Sequence, residues 1–217
     1  MAATEALTAA DIAAIISRIA GVMAQNRDEL LRLDAVMGDG DLGITMEKGF
    51  AAAREEAAKP AEKDVGKLLS RIGMTIARSA PSTMGTLVAT GFMAGGKAVA
   101  GKTALSATDL AEFFGAFTTS IMQRGKAQPG EKTPVDVLLP ASQAMAQAAA
   151  SGAGLERALE ALAAAAAEGR ARVRDMVARH GRQAYYQEQS KGREDAGSVA
   201  CQWILQAFAD HVRLSGS

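Results

Sequence analysis

The sequence predicts an all-α protein, an antiparallel bundle or barrel of about eight helices, and three observations carry that expectation. Alanine, leucine, methionine, glutamate, lysine and arginine, the strong helix formers, fill long segments. Aromatic residues make up only 4% of the chain, and the alternating β-branched runs that mark half-buried strands are absent. Paired capping signals precede apolar periodic runs: Thr8 with Asp11, and Ser106 with Asp109. In such a box the hydroxyl and the acid satisfy backbone donors that the first helical turn leaves free.

From these starts, and from the stops expected at Gly38, Gly95-Gly96 with Gly101, Pro129-Gly130, Gly152 and Gly181, the helices are placed at 8–25, 27–37, 44–58, 61–78, 83–99, 106–124, 134–149, 153–179 and 197–213. Small residues such as Ala141, Ala144, Ala146 and Ala148 allow helices to approach closely. The alanine-rich stretch 161–167 reads as an ordinary packed helix, because Leu155, Leu159 and Leu162 fall at helical spacing. No repeat or linker interrupts residues 1–217, which are expected to form a single domain.

Lysine plus arginine total 24 and aspartate plus glutamate total 24, so the electrostatic attraction that nucleic acid binding requires is missing. No stretch reaches the roughly 20 apolar residues of a membrane span, and Met1–Ala10 lacks the basic and apolar regions of a secretory leader; a cytoplasmic protein is expected. Cys201 is the only cysteine and reads as a buried, inert thiol. His180 reads as a helix-terminal residue whose charge complements the dipole, and His211 as a residue near the C-terminus; neither is assigned to catalysis.

The chemistry is concentrated between Leu33 and Gly43, where Asp34, Asp39 and Asp41 fall within eight residues and Gly38, Gly40 and Gly43 interrupt a helical sequence. Crowded carboxylates repel one another, and a hard divalent cation removes that penalty. Asp34 is expected at the end of a helix with Asp39 and Asp41 on the following turn, a local pocket for Mg²⁺ whose remaining positions suit phosphate oxygens. A solvated Asp-Gly turn is the alternative at this point. It does not read as an EF-hand, since no long loop closing on a glutamate follows.

Three further segments stand out. In Ser79-Ala80-Pro81-Ser82-Thr83-Met84-Gly85-Thr86, hydroxyls and free amides at a helix start can hold an anion, or Ser82 simply caps the helix. Gln123 to Asp136 is a polar connection rich in turn formers, and by itself just a loop. Between Gly181 and Gly197, Arg182 offers a guanidinium able to grip phosphate beside Tyr185 and Tyr186, or is a surface arginine.

The joint order of these segments resembles the L subunit of dihydroxyacetone kinase and the equivalent C-terminal domain of single-chain, ATP-dependent enzymes. The match runs from about residue 10 to 212: Leu33-Asp34 with Gly38-Asp39-Gly40-Asp41, Gly101-Lys102-Thr103, Arg124-Gly125-Lys126-Ala127, Gly130-Glu131-Lys132-Thr133, Asp136, and Gly181-Arg182 with the segment Ser190 to Gly197. The resemblance implies a helical barrel whose loops at one end hold ATP or ADP through two Mg²⁺ ions ligated by Asp34, Asp39 and Asp41. It implies that Leu42, Gly43, Ile44 and Thr45, with Thr83 and Met84, line the phosphates. Gly125 and Pro134 would lie on the nucleoside side, and Arg182 with Asp195, Ala196 and Gly197 in a closing loop.

The same resemblance implies a kinase subunit in which Asp34, Asp39, Asp41 and Arg182 are the catalytic set, with the ketose held by a histidine on a separate K-type subunit. In phosphotransferase-linked relatives a phosphocarrier protein recharges the bound nucleotide, whereas in ATP-dependent ones it exchanges; a homodimer is compatible with either. Where the family has histidine after Gly-Asp-Gly-Asp this chain has Leu42, a glycine-serine turn carries Thr83 and Met84, and Pro134 replaces a methionine. These departures point to a divergent branch acting on a related short ketose such as a tetrulose. A non-catalytic nucleotide-binding partner that signals to a regulator is the alternative function.

Overall fold

The computed structural model describes residues 5–59 and 62–215. Among the described residues the α-helices are α1 (Ala9–Gln25), α2 (Arg27–Met37), α3 (Leu42–Ala57), α4 (Val65–Ser79), α5 (Thr83–Ala98), α6 (Ala107–Gly125), α7 (Val135–Ala150), α8 (Leu155–Val173) and α9 (Ala196–Ser215). A 3-10 helix, Arg182–Ser190, precedes α9. Two short strands, β1 (Leu7–Thr8) and β2 (Ala104–Leu105), pair antiparallel with Leu7 opposite Leu105. Successive helices from α3 to α9 pack on their neighbours and α9 returns to α1, which packs on α3, so the ring is closed; α2 lies against α3 and α9. The all-α barrel is therefore the fold.

Seven of the nine expected helices agree to within two residues at each end, because their ends are locally coded. Both capping boxes form, with Thr8 accepting from the Asp11 amide and Ser106 from the Asp109 amide. The helix expected at 61–78 begins instead at Val65, where the Asp64 carboxylate accepts from the Lys67 amide at 3.0 Å. Residues 60 and 61 lie outside the described residues.

Gly95 and Gly96 do not stop a helix; both lie inside α5. A Cβ on Gly95 would stand 2.5 Å from Phe113 Cδ2, and one on Gly96 would stand 2.6 Å from the Gly66 carbonyl, so these glycines admit α6 on one side and α4 on the other. The close approach builds an aromatic core: Phe92 meets Phe117 edge-on at 5.4 Å, and Phe114 meets Phe208 of α9 at 5.1 Å. Each such buried ring stabilises the fold by about 1.5–3 kcal/mol. Leu155, Leu159 and Leu162 of the alanine-rich helix are buried as expected. Cys201 is buried too, and its surroundings push the thiol's pKa up, which keeps it protonated and inert.

The helix expected at 153–179 ends at Val173, because an ammonium from elsewhere in the chain takes its terminal carbonyls. Lys132 Nζ donates to the carbonyls of Val173 at 2.8 Å and Arg174 at 3.0 Å. His180 consequently ends no helix; it follows the turn after α8 and pairs with Glu131 at 2.5 Å. His211 bonds Asp11 at 3.1 Å, tying α9 to the first turn of α1.

Candidate functional site

The alternation of the ring gathers unlike helix ends at one mouth. The starts of α3, α5, α7 and α9 contribute Leu42, Thr83 and Met84, Val135, and Gly197 to the wall of one cleft of about 340 Å³. The ends of α2 and α6 contribute Asp34 with Gly38, and Ile121 with Gly125. Helix starts carry free amides and partial positive charge, and helix ends partial negative charge. The mouth therefore offers anion-attracting and cation-attracting groups side by side.

Asp34 sits on the last turn of α2 and is 9% exposed. Its Oδ2 accepts from the amides of Asp41 at 3.0 Å and Leu42 at 3.2 Å, which folds the loop back over the helix end. Gly40 makes that reversal with φ +72°, a left-handed conformation that costs a side chain dearly. Gly43 lets α3 cross α2, since a Cβ there would lie 2.2 Å from the Arg27 carbonyl. One carboxylate oxygen each from Asp34, Asp39 and Asp41 then lies within 4.8 Å of the others. Burial raises the Asp34 pKa; the Leu42 and Asp41 amides oppose that, and the charge of Asp39 adds to it. Burial and a like charge both disfavour the ionised carboxylate, and a bound cation would offset them. Three hard oxygen donors, two of them on exposed residues facing the cleft, fit a Mg²⁺-sized ion.

Across the mouth, Arg182 at the start of the 3-10 helix reaches Asp39 at 3.2 Å. Gln183 beside it donates to Asp195, which also accepts from the Ser198 amide at 2.7 Å and its hydroxyl at 2.6 Å, capping α9. Asp195 is buried, and burial raises its pKa despite those donors. Met84, Pro134 and Gly197 meet in an apolar wall: a Cβ on Gly197 would touch Pro134 at 3.1 Å and the Met84 sulfur at 3.4 Å.

Asp34, Asp39, Asp41, Leu42, Thr83, Met84, Gly125, Pro134, Arg182, Asp195 and Gly197 are thus brought to one cleft. Gly43, Ile44, Thr45 and Ala196 are not on its wall. Thr45 donates its amide to the Asp41 carbonyl at 3.0 Å and Ala196 is buried in the core, so any part they take is through the backbone. Lys132, Thr133 and Gln183 line the cleft and were not singled out individually, and His180, read as a helix-terminal residue with no part in the site, lines it too. The signal for Lys132 was its place in the Gly130-Glu131-Lys132-Thr133 segment, which by itself reads as a loop.

The fold and the mouth define an all-helical protein with an acidic, oxygen-rich cation pocket set among helix starts. The chain belongs to the DAK2 domain family, which matches residues 36–210. It is 30% identical over 194 residues to the ADP-binding subunit DhaL of the PEP-dependent dihydroxyacetone kinase of Escherichia coli, covering 89% of this chain and 92% of that one. It is 33% identical over 200 residues to the L-erythrulose kinase of Pectobacterium atrosepticum, where the match covers 91% of this chain but 34% of the relative. The crystal structure of the dihydroxyacetone kinase from C. freundii in complex with AMP-PNP and Mg²⁺ superposes with a TM-score of 0.71 at 20% identity, over 96% of this chain and 35% of that one. The resemblance to an L-type chain thus holds over nearly the whole sequence. Among the described residues no helix is long and apolar enough to cross a membrane.

Proposed function

We propose that this chain is the nucleotide-binding, phosphoryl-donor component of a short-ketose kinase, working with a K-type partner that holds the sugar. The observation that carries this reading is the cluster of Asp34, Asp39 and Asp41 within 4.8 Å, with Arg182 on Asp39 and four helix starts around it. Those carboxylates would hold two Mg²⁺ ions, which when bound to ATP neutralise charge on the β and γ phosphates. Asp34 is fixed by two amides and so sets the position of the pocket. The start of α5 offers its first amides and the Thr83 hydroxyl to the phosphates, while Met84, Pro134 and Gly197 give an apolar side for the nucleoside. Arg182 is 66% exposed on its side chain and is free to exchange Asp39 for a phosphate oxygen. Positioning and electrostatics then do the catalytic work, with no nucleophile from this chain.

Leu42 stands at the first position of α3, on the cleft wall next to Asp41, and presents no polar group to the phosphates. With Met84 and Pro134 it makes this end of the cleft more apolar than the family pattern, which supports a divergent acceptor. The relative named for L-erythrulose, a four-carbon ketose, agrees with a tetrulose. The test is sugar phosphorylation by the chain reconstituted with a K-type partner, across trioses and tetruloses. Asp39→Asn should abolish turnover while leaving the fold intact; unchanged turnover overturns the donor role, and exclusive use of dihydroxyacetone overturns the tetrulose assignment.

A further inference from the structure

Lys132 lies in the connection between α6 and α7 with a left-handed backbone, φ 58°, and is 2% exposed. Its ammonium donates to three carbonyls: Val173 at 2.8 Å, Arg174 at 3.0 Å and Arg193 at 2.7 Å. The first two close α8 and the third lies three residues before α9, so the chain between them, residues 175–192, is a flap whose two ends are drawn to a single atom. Arg174 reinforces that neck, accepting from the Gly192 amide at 2.8 Å and donating its Nε to the Gly192 carbonyl at 2.9 Å. Inside the flap the Ser190 hydroxyl accepts from the Ala178 amide at 2.9 Å and donates to the Gln187 carbonyl at 2.6 Å. The flap also leans on the connection that carries Lys132, because the Arg179 amide donates to the Glu131 carbonyl at 3.1 Å. Its outer end presents Arg182 to Asp39 at 3.2 Å.

Three converging acceptors require three hydrogens on one atom, and among side chains only an ammonium supplies them. The dipole at the end of α8 favours the positive charge. All three donors are consumed, so Lys132 has none left for a phosphate even though it borders the cleft. Removal of the ammonium would take a donor from all three carbonyls; Val173 would keep the Met176 amide at 3.1 Å and Arg174 the Gly192 amide at 2.8 Å, so the link that ties the Arg193 end of the flap to the end of α8 is what is lost.

We propose that Lys132 is a positioning residue: it pins both ends of the 175–192 flap and thereby fixes Arg182 over the aspartate cluster, acting on phosphoryl transfer through Arg182. This rests on the phosphoryl-donor reading, and the test has one arm that does not. In that arm the chain alone is digested with trypsin, for which the flap offers Arg179, Arg182 and Lys191. Flap cleavage should be at least about tenfold faster in K132M than in the unaltered chain, because protease reports the open population, while the helical melt stays cooperative. In the second arm, with a K-type partner, K132M should lower kcat by about a hundredfold with little change in nucleotide KM, the expected cost of an ångström-scale misplacement.

The K132M/R182A double variant should be no slower than R182A within about threefold, since residues acting as a unit are non-additive. K132R, which keeps the charge and several donors, should recover part of the loss. K132Q, which keeps two donors, carries the same comparison if K132M does not fold. Unchanged flap cleavage, or kcat losses that multiply in the double variant, would overturn the proposal. An unaltered chain inactive with its partner would instead refute the donor reading, and the cleavage arm would still decide the clamp.

Discussion

Gly38→Ala tests the aspartate pocket without removing a charge from it. An ideal Cβ at Gly38 falls 2.0 Å from Asp34 Oδ1 and 2.7 Å from both Asp34 Cγ and the Asp34 carbonyl oxygen. Ordinary contact begins at 3.4 Å, so the carboxylate must withdraw by 3.4 − 2.0, or 1.4 Å. That movement breaks its bonds to the Asp41 and Leu42 amides, at 3.0 and 3.2 Å. The carbonyl cannot yield instead without losing the bond it accepts from the Gly38 amide at 2.6 Å, the last of α2. Mg²⁺ demands oxygen at about 2.0–2.1 Å in near-octahedral geometry, and a ligand displaced by over an ångström leaves that shell. Affinity for Mg²⁺·ADP, measured by titration calorimetry, should fall by about a hundredfold, or ~2.7 kcal/mol. The bundle should lose only about 1–3 kcal/mol from the overpacking. Gly21→Ala is the control, since a Cβ there meets nothing within 4 Å. Wild-type affinity in a folded Gly38→Ala protein would refute the assignment of Asp34 to the cation.

Asp195→Asn should change the pH dependence of stability. Burial holds the Asp195 pKa above its ordinary 3.8, so the folded state binds that proton more tightly than the unfolded one. The carboxyl therefore favours folding below that ordinary value and loses its contribution as pH rises through the raised one. The melting temperature of Asp195→Asn relative to wild type should climb as pH rises above the ordinary 3.8; a constant difference contradicts the raised pKa. Gly95→Ala, whose Cβ would press within 2.5 Å of the Phe113 ring, should cost about 1–3 kcal/mol in urea unfolding, and an unmoved midpoint would show that α5 and α6 can separate freely. Phe92→Ala opens the aromatic core and should cost about 3–5 kcal/mol by the same measurement, a loss under about 1 kcal/mol being incompatible with the packing described.

What the sequence made legible was what is coded within a few residues. Thr8 with Asp11 and Ser106 with Asp109 specify helix starts by reach alone, and Asp34, Asp39 and Asp41 are close in space because one loop carries them. Gly95 and Gly96 were named in a stop region although the helix placed at 83–99 runs through them, as α5 does, because a glycine that stops a helix and one that admits a neighbouring helix look alike until the neighbour is known. The end of α8 was missed for the same kind of reason, since the group that terminates it lies 41 residues earlier, at Lys132. The pairing of Leu7–Thr8 with Ala104–Leu105 is too short for any periodicity to announce. Arg182 could be placed near the aspartates only through the family resemblance, because nothing in its spacing says that residues 174–181 turn back toward α2.

The alternation of helix starts and ends around the mouth has a consequence for what substitution can achieve there. The field it creates comes from peptide groups that every residue shares, so no single side-chain exchange can erase it. An exchange at Leu42, Met84 or Pro134 alters shape and wetting and leaves the polarity of the rim in place. On the proposed reading the aspartates and this backbone field together would take the metal-bound polyphosphate, and a few replaceable side chains would take what it is attached to. Such a rim can be reshaped at those side chains by small steps that leave the aspartates and the backbone field in place.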